Sequence, residues 1–233
     1  MVHSDTGIYI VFEGVDGCGK TTVSTLVNDI LQRTLSIHSL LTKHPGATAL
    51  GQHLRRLVKT PEIIDRSIQI DGVSAQVLMM VDQICFINTI LTPQLDKGSI
   101  VLADRANFVS AIAYGIPEGV TPAQLNKLFQ LADSPSPDRI FILKAPWETL
   151  EKRMGIRDTG SDRFEDRGSS YLQQVANIYD NLKMRPDLLV LLSDYVPIEN
   201  IVYLDATNSP EAIAKRVVEE ILKISKKKTG AEV

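Results

Sequence analysis

The sequence predicts a three-layer α/β/α fold, in which helices cover both faces of a five-stranded parallel sheet. Short runs rich in β-branched and aromatic residues alternate along the chain with longer segments whose apolar residues recur at helical spacing. Such alternation is typical of parallel strands joined by helical crossovers. A glycine-rich turn follows the first predicted strand, and 233 residues, 44% of them hydrophobic, are enough for one domain with a full core.

The predicted strands are short apolar runs bounded by turn-forming residues. The first of them ends in the glycine-rich turn, and the third ends in an aspartate. Because each run is followed by a helical segment, we expect all five to run parallel in one sheet. The five runs are 8–12, 38–41, 100–103, 140–143 and 201–204.

The predicted helices are recognised by apolar periodicity and by their start signals. Thr121 and Pro122 favour a helix start, since threonine can cap the helix and proline suits its first turn. Pro93 is expected to end the long helix before it. The helical segments are 20–33, 50–58, 74–91 and 147–153, with others that begin at residues 121, 171 and 209.

The composition argues against several classes of partner. The formal net charge is −3 at pH 7, so no overall positive field attracts the chain to nucleic acid or to an anionic membrane. Cys18 and Cys85 lie in unlike settings and indicate neither a disulfide framework nor a metal site. No segment reaches ~18 uncharged apolar residues, and the N-terminus lacks a secretory pattern. We therefore expect a cytoplasmic protein that binds neither nucleic acid nor membranes.

Residues 14–21 match the phosphate-binding pattern G-x-x-x-x-G-K-[ST] in full, between a predicted strand and a predicted helix. The glycines let backbone N–H groups converge on phosphate oxygens, while Lys20 reaches the β- and γ-phosphates and Thr21 offers a hydroxyl to Mg²⁺. The pattern predicts a P-loop NTPase fold that binds ATP and Mg²⁺. The expected ATP-binding residues are Gly14, Gly17, Cys18, Gly19, Lys20, Thr21 and Thr22.

A second acidic element for the metal follows the third predicted strand. Residues 100–103 are apolar, and Asp104 comes directly after them, as in a Walker B strand. Arg105 is next to it and offers a guanidinium for a phosphate. Both residues are expected at the carboxyl edge of the sheet, where ligands bind in such folds.

Six short segments, met in order along nearly the whole chain, resemble motifs of the thymidylate kinase family. The first resembles the phosphate loop of that family, and the second resembles its T-R-E-P-G-G-T segment. The next two resemble its D-R and S-x-x-A-Y segments, the fifth its D-R-[FI]-E lid motif, and the last its final strand. In this chain they are 12–22, 42–48, 104–105, 110–114, 162–165 and 205–207.

The resemblance implies an ATP-dependent kinase that converts dTMP to dTDP. It places Asp16 near the 3′-hydroxyl of the acceptor and the metal, and it places Arg55 and Arg105 on the acceptor phosphate. Tyr114 is implied to lie against the sugar C2′ and to favour deoxyribose. The family also implies a homodimer, for which the helix 74–91 is a candidate contact face. The other implied acceptor residues are Lys43, Pro45, Met80, Gln83, Ser110 and Ala111, and the implied metal ligands are Thr21, Asp104 and Asp16.

The lid, at about 153–168, is expected to carry a catalytic arginine. The variable positions of the phosphate loop are not basic here, whereas Arg157 and Arg163 lie in the lid segment, as in the bacterial-type members of the family. An arginine that neutralises charge in the transition state is worth ~10³ or more in rate. The alternative is a solvated loop whose arginines are balanced by neighbouring acids.

The chain departs from the family pattern where the acceptor base should bind. Lys43 and His44 replace the family's Arg and Glu, and Ala111 replaces a polar side chain. The helix after residue 74 resembles the family's helix with one residue fewer, which places Met80 at the position of the stacking phenylalanine and Gln83 at that of the base-reading arginine. These differences leave open a deoxynucleoside monophosphate with another or a modified base, for instance in a viral enzyme acting in the host cytoplasm.

Two further functions stay open at this point. A deoxynucleoside kinase would need a general base at the end of the first strand, where Glu13 is available. A nucleotide-binding regulator without transfer activity would keep the loop and lose turnover. The Pro-Gly segment and the pair Asp104 and Arg105 favour an acceptor that already carries a phosphate.

Overall fold

The computed structural model describes residues 7–60, 69–105, 107–155 and 168–230. Five parallel strands form one sheet in the order β2-β3-β1-β4-β5, which confirms the predicted sheet. All six residues of the central strand β1 are buried, so helices cover both faces of the sheet there. The strands are β1 (Ile8–Glu13), β2 (Ser39–Lys43), β3 (Ile100–Asp104), β4 (Arg139–Lys144) and β5 (Ile201–Asp205).

Ten α-helices lie in the described part of the chain, some of them extended by π-helical or 3₁₀ turns. The π-helical turns are Ile30–Thr34, after the first helix, and Ile87–Leu91, between the third and the fourth. The helices are α1 (Lys20–Asp29), α2 (Ala49–Lys59), α3 (Gly72–Phe86), α4 (Thr92–Leu95), α5 (Asn107–Gly115), α6 (Pro122–Phe129), α7 (Trp147–Gly155), α8 (Gly168–Asn181), α9 (Pro186–Ser193) and α10 (Pro210–Thr229).

Local signals in the sequence fix several helix starts. The Thr121 side chain accepts a hydrogen bond from the Gln124 N–H, and the Gln124 side chain bonds back to Thr121, with Pro122 in the first turn of α6. Ser209 caps α10 in the same way, through the N–H of Ala212. The predicted starts at residues 121 and 209 are confirmed.

Pro93 does not end the long helix, contrary to the prediction. The chain passes through the π-helical turn Ile87–Leu91 and continues as α4 to Leu95, with Pro93 in the first turn of α4. A π-helical turn shifts the carbonyl groups that a proline ring would otherwise meet, so the helical path continues.

The helices α5 and α9 were not predicted as separate elements. Residues 107–115 read NFVSAIAYG, and Phe108, Val109, Ala111, Ile112 and Ala113 are all buried. A helix that is apolar on nearly every side has no amphipathic period to recognise. The periodicity test therefore fails for the helix that follows Asp104 and Arg105.

One helix in the described residues, Gly72–Leu95, has the length and apolar composition of a membrane-spanning segment. It carries Asp82 near its middle, fully buried and 3.0 Å from the ring of His44. Its first part, α3, packs against α2, α5 and α6. In this fold it is therefore one of the helices packed around the sheet, with Val77 and Val81 exposed on its outer side.

The carboxyl ends of three neighbouring strands meet at one edge of the sheet. Phe12 of β1 pairs with Asp104 of β3, and Lys43 of β2 pairs with the same aspartate. The glycine-rich loop leaves β1 at this edge and leads into α1. Loop, strand ends and the helices α2, α3 and α5 thus surround one space.

Candidate active site

The loop between β1 and α1 has a backbone that requires glycine. Gly14, Gly17 and Gly19 have φ values of +135°, +83° and +94°, which L side chains rarely adopt. At Gly14 an added Cβ would also lie 2.6 Å from the carbonyl oxygen of Leu143. Lys20 is buried, and its ammonium donates to the carbonyl oxygens of Gly14 and Val15 at 2.9 and 3.0 Å. The loop thus curls around the ammonium of Lys20.

The other predicted loop residues have different surroundings. Gly17, Gly19 and Thr21 line the cavity beside the loop. Cys18 is buried in the core, with its Sγ 3.7 Å from the Lys20 Nζ, so only its backbone is placed to meet a ligand. Thr22 lies exposed in the first turn of α1.

Thr21 and Asp104 form a hydroxyl and carboxylate pair suited to a hard cation. The Thr21 Oγ1 donates to the Asp104 Oδ2 at 2.6 Å, across the gap between α1 and β3. Mg²⁺ is commonly held by one or two protein oxygens and by substrate phosphates. Within the described residues no cluster of three or more Asp, Glu, His or Cys side chains could hold a metal alone. This pair therefore fits Mg²⁺ held jointly with a nucleotide.

The guanidinium of Arg105 is held by several partners at once. Its Nη2 donates to the Asp16 Oδ1 at 2.7 Å and to the Tyr114 hydroxyl at 2.9 Å. Its Nη1 donates to the Gly14 carbonyl at 3.1 Å and to the Tyr179 hydroxyl at 3.0 Å. The backbone of Arg105 has φ +80°, a strained value for a residue of this size. Arg105 thus joins loop, strand and helices in one network.

Asp16 belongs to this network, and it lines the same cavity as Thr21 and Asp104. Burial by itself raises the pKa of the Asp16 carboxyl, but the nearby charges of Arg105 and Lys20 outweigh it. The pKa of Asp16 therefore lies well below its ordinary value. At neutral pH the group is an anion that balances two cations.

Glu13 is a buried anchor of the same network. Both of its carboxylate oxygens accept from the Ser110 hydroxyl at 3.0 Å, and one accepts from the Tyr179 hydroxyl at 2.8 Å. Arg105 lies 3.7 Å away. Burial, aided by Glu13, raises the pKa of Tyr179 well above its ordinary value, so this phenol stays neutral. The Glu13 carboxylate is fully buried and does not line the cavity.

An open cavity lies beside the loop. Apart from the loop lysine, four cationic side chains line it: Lys43, Arg55, Lys59 and Arg105. Burial lowers the pKa of Lys43, Asp104 opposes this effect, and Arg55 adds to it. Four cations around one space favour a ligand with several negative charges.

Lys59 was not recognised in the sequence. It lies on α2 four residues after Arg55, and helical spacing puts both side chains on one face. Gly46 gives Arg55 its place, because an added Cβ there would lie 3.2 Å from the Arg55 Cδ. The signal for Lys59 was therefore its spacing from Arg55.

Several predicted acceptor residues do meet in the cavity. Pro45 lines one side of it, and Ser110, Ala111 and Tyr114 of α5 line another. His44, which precedes Pro45, replaces the glutamate of the family pattern. Its Nε2 lies 3.0 Å from the Asp82 Oδ2. The same aspartate oxygen accepts from the N–H of Gly46 at 2.9 Å, so Asp82 fastens the Pro-Gly segment to α3.

Met80 and Gln83 do not line the cavity, which corrects the prediction for α3. Met80 is a core residue, 2% exposed, and Gln83 is 1% exposed with a carboxamide oxygen that has no partner in the described structure. Met79 and Gln76 line the cavity instead. Neighbouring residues on a helix point about 100° apart, so a register counted one residue off selects the wrong face.

The predicted lid arginines Arg157 and Arg163 lie outside the described residues. Arg153, at the end of α7, is described, and its Nη2 donates to the carbonyl of Ala206 at 3.0 Å. This contact ties the end of α7 to the turn after β5.

Comparison with known proteins agrees with the geometry. The sequence model of a family described as thymidylate kinase matches residues 12–217. The chain is 30% identical over 213 residues to the thymidylate kinase of Fervidobacterium nodosum, covering 91% of this chain and 96% of that protein. It is 30% identical over 227 residues to the thymidylate kinase of Exiguobacterium sibiricum, covering 96% and 98%. A third relative, the thymidylate kinase of Campylobacter concisus, is 31% identical over 216 residues, covering 90% and 96%.

Proposed function

This chain belongs to the thymidylate kinase family, and we propose that it transfers the γ-phosphate of ATP to dTMP, giving ADP and dTDP. The observation that supports the proposal is one cavity with cationic groups in two parts. The glycine-rich loop with Lys20 forms one part, and the cations Lys43, Arg55 and Arg105 form the other. The phosphates of ATP need only the loop, so the second set of cations suits an acceptor that already carries a phosphate.

The donor phosphates are proposed to lie on the loop, where Lys20 neutralises the β- and γ-phosphates. Thr21 and Asp104 would hold Mg²⁺, which neutralises charge on the phosphate oxygens when it is bound. In the transfer, an oxygen of the dTMP phosphate forms a bond to the γ-phosphorus while the bond to the β,γ-bridging oxygen breaks. Because the attacking phosphate is already ionised, the step needs no general base.

The acceptor phosphate is proposed to bind Arg55, Arg105 and Lys43. Asp16, ionised at neutral pH, holds Arg105 in place at 2.7 Å and is proposed to accept a hydrogen bond from the 3′-hydroxyl. Tyr114, held by Arg105, would lie against the sugar and exclude a 2′-hydroxyl. Arg157 or Arg163 of the lid, about 153–168, is proposed to neutralise the negative charge on the phosphoryl group during transfer.

A deoxynucleoside kinase is less well supported by the site. Its general base would have to be Glu13, which is fully buried, bonded to Ser110 and Tyr179, and absent from the cavity wall. A base must reach the proton that it removes. Which base the acceptor carries depends on the side chains of α3 and α5 that line the cavity.

We also propose that the enzyme acts as a homodimer in the cytoplasm. Val77 and Val81 lie one turn apart on α3 and are 43% and 40% exposed, and Leu50 on the adjoining α2 is 48% exposed. Exposed aliphatic side chains on neighbouring helices suit an interface between two copies. Sedimentation equilibrium of the wild type and of a Val77→Lys, Val81→Lys variant tests this, and a monomeric wild type would contradict it.

The function is tested by ADP formation with ATP and Mg²⁺ against a panel of nucleoside monophosphates: dTMP, dUMP, dCMP, dGMP, dAMP and 5-hydroxymethyl-dUMP. We expect dTMP to be the best acceptor and Lys20→Ala to lose ~10³ or more in turnover. Another base as the best acceptor would overturn the choice of dTMP. No turnover with any monophosphate would overturn the kinase proposal itself.

A further inference from the structure

The carboxamide of Gln76 has no hydrogen-bond partner among the described residues, although the side chain is only 6% exposed. It lines the cavity on α3, three residues before Met79, so both side chains lie on one face of that helix. Its amide atoms are not among the fully enclosed polar atoms of the described structure, so they are reachable from the cavity. A ligand that enters the cavity can therefore hydrogen-bond to this carboxamide.

The hydroxyl groups that line the same cavity are already engaged. Thr21 donates to Asp104 at 2.6 Å, and Ser110 donates to Glu13 at 3.0 Å. The hydroxyl of Tyr114 accepts from Arg105 at 2.9 Å. Among hydroxyl and carboxamide side chains of the described cavity wall, Gln76 is therefore the one left to bind a neutral polar group.

Packing fixes where the carboxamide can go. A Cβ added to Gly115 of α5 would lie 3.2 Å from the Gln76 Nε2, so the glycine leaves just enough room for the amide. Ala111, one turn earlier on α5, lines the cavity with a methyl group only. Gln76 and Met79 of α3 and Ala111 of α5 thus line the cavity where these two helices pack together.

We propose that Gln76 is the residue that reads the polar edge of the acceptor base. This inference rests on the proposed function, because it takes the part of the cavity between α3 and α5 as the base site. Thymine presents an N3–H donor beside the O4 acceptor, and a carboxamide can accept from the first and donate to the second. Met79 covers the ring face, and Ala111 leaves the space that the ring occupies.

The direct test is equilibrium binding of dTMP to three folded proteins: the wild type, Gln76→Leu and Gln83→Leu. Gln83 is the matched control, since it is a buried glutamine on the same helix that does not line the cavity. A bidentate amide contact is worth ~1–3 kcal/mol, so we expect Gln76→Leu to raise the Kd for dTMP about 10- to 100-fold. Gln83→Leu should change it less than about twofold, and the Kd for ATP should be the same in all three.

Equal binding of dTMP by the wild type and Gln76→Leu would overturn the inference, as would equal losses in the two leucine variants. Gln76→Glu gives a second signature, because a carboxylate accepts from the N4 amino group of cytosine but cannot donate to O4 of thymine. The ratio of kcat/KM for dCMP to that for dTMP should rise at least about tenfold. An unchanged ratio would also count against Gln76 as the base reader.

The two proposals fail separately. If the wild type binds dTMP but does not phosphorylate it, the kinase function fails, while the binding series still decides the role of Gln76. If the wild type phosphorylates dTMP and Gln76→Leu keeps the wild-type KM, only the role of Gln76 fails.

Discussion

The phosphate end and the base end of the cavity are built in different ways. At the phosphate end, Arg105 has four hydrogen-bond partners and lies 3.7 Å from Glu13. One of the four, Asp16, also pairs with Lys20 at 3.9 Å. At the base end, Met79, Ala111 and Gln76 meet through packing of α3 on α5, with one carboxamide that has no partner in the described structure. The proposed phosphate transfer thus depends on a charged, hydrogen-bonded network, and the proposed base selection depends on which face of α3 turns towards the cavity.

The largest effect is expected when the charged network is broken at Arg105. Arg105→Ala should lower kcat/KM for dTMP by ~10²–10³, because the acceptor phosphate loses a preorganised donor. It should also lower the free energy of unfolding by about 3 kcal/mol, since the buried Glu13 carboxylate loses a cationic neighbour 3.7 Å away. Steady-state kinetics and urea denaturation measure the two effects.

Arg105→Lys is the matched control for that variant. It keeps the positive charge but cannot contact Asp16, Tyr114 and Tyr179 in the same fork geometry. We expect stability close to that of the wild type and an activity between the two. Equal activity of the lysine variant and the wild type would show that the fork geometry does not matter.

A smaller effect is expected when the charge of Asp16 is removed from the same network. Asp16→Asn should lower kcat/KM for dTMP ~100-fold, because Arg105 loses the carboxylate that positions it. Since the folded-state pKa of Asp16 lies below the ordinary value of ~3.9, its ionised form stabilises the fold above that pH, and the contribution is lost as pH falls through the folded-state pKa.

The pH dependence of stability tests this assignment apart from activity. Below pH ~4 the wild type should lose stability more steeply than Asp16→Asn, and above pH ~5 the two slopes should agree. Thermal denaturation at a series of pH values gives both slopes. Parallel curves at acid pH would mean that Asp16 has no depressed pKa.

At the base end, two neighbouring methionines should respond in opposite ways. Met79→Ala should raise the KM for dTMP roughly tenfold, since ~1–2 kcal/mol of apolar contact with the base is lost, and it should leave stability nearly unchanged. Met80→Ala should leave KM unchanged and lower the free energy of unfolding by about 2–5 kcal/mol, because it opens a cavity in the core.

The alanine variants of Met79 and Met80 separate a ligand contact from a core contact on the same helix. Activity and unfolding are measured on both variants, so each serves as the control for the other. A raised KM in Met80→Ala with normal stability would restore the sequence-based assignment of the stacking residue to Met80.

The sequence was most informative where short contiguous motifs determine the geometry. Glycines at three positions of one loop, together with Lys20 and Thr21, predict the phosphate end, because each residue type there has one physical task. The five strands were found because each is a short apolar run beside a turn. Loop and sheet could therefore be predicted without any knowledge of the tertiary packing.

The base end could not be predicted in the same way. Met79 and Met80 are chemically identical, and only the rotation of α3 about its axis decides which of them meets the ligand. Gln76 lies outside the motif segments, and its role depends on Gly115, 39 positions further along the chain but in contact with it. Contacts between distant segments carry no local sequence signal, so these residues were identified only from the fold.

The central claim is that the cavity accepts a nucleotide that already carries a phosphate. The most direct measurement compares phosphorylation of dTMP and of thymidine by the wild type, with ATP and Mg²⁺, and identifies the products by ³¹P NMR. We expect dTDP from dTMP and no dTMP from thymidine, since the second set of cations meets no phosphate and Glu13 cannot reach a 5′-hydroxyl. Formation of dTMP from thymidine as fast as dTDP from dTMP would contradict the account.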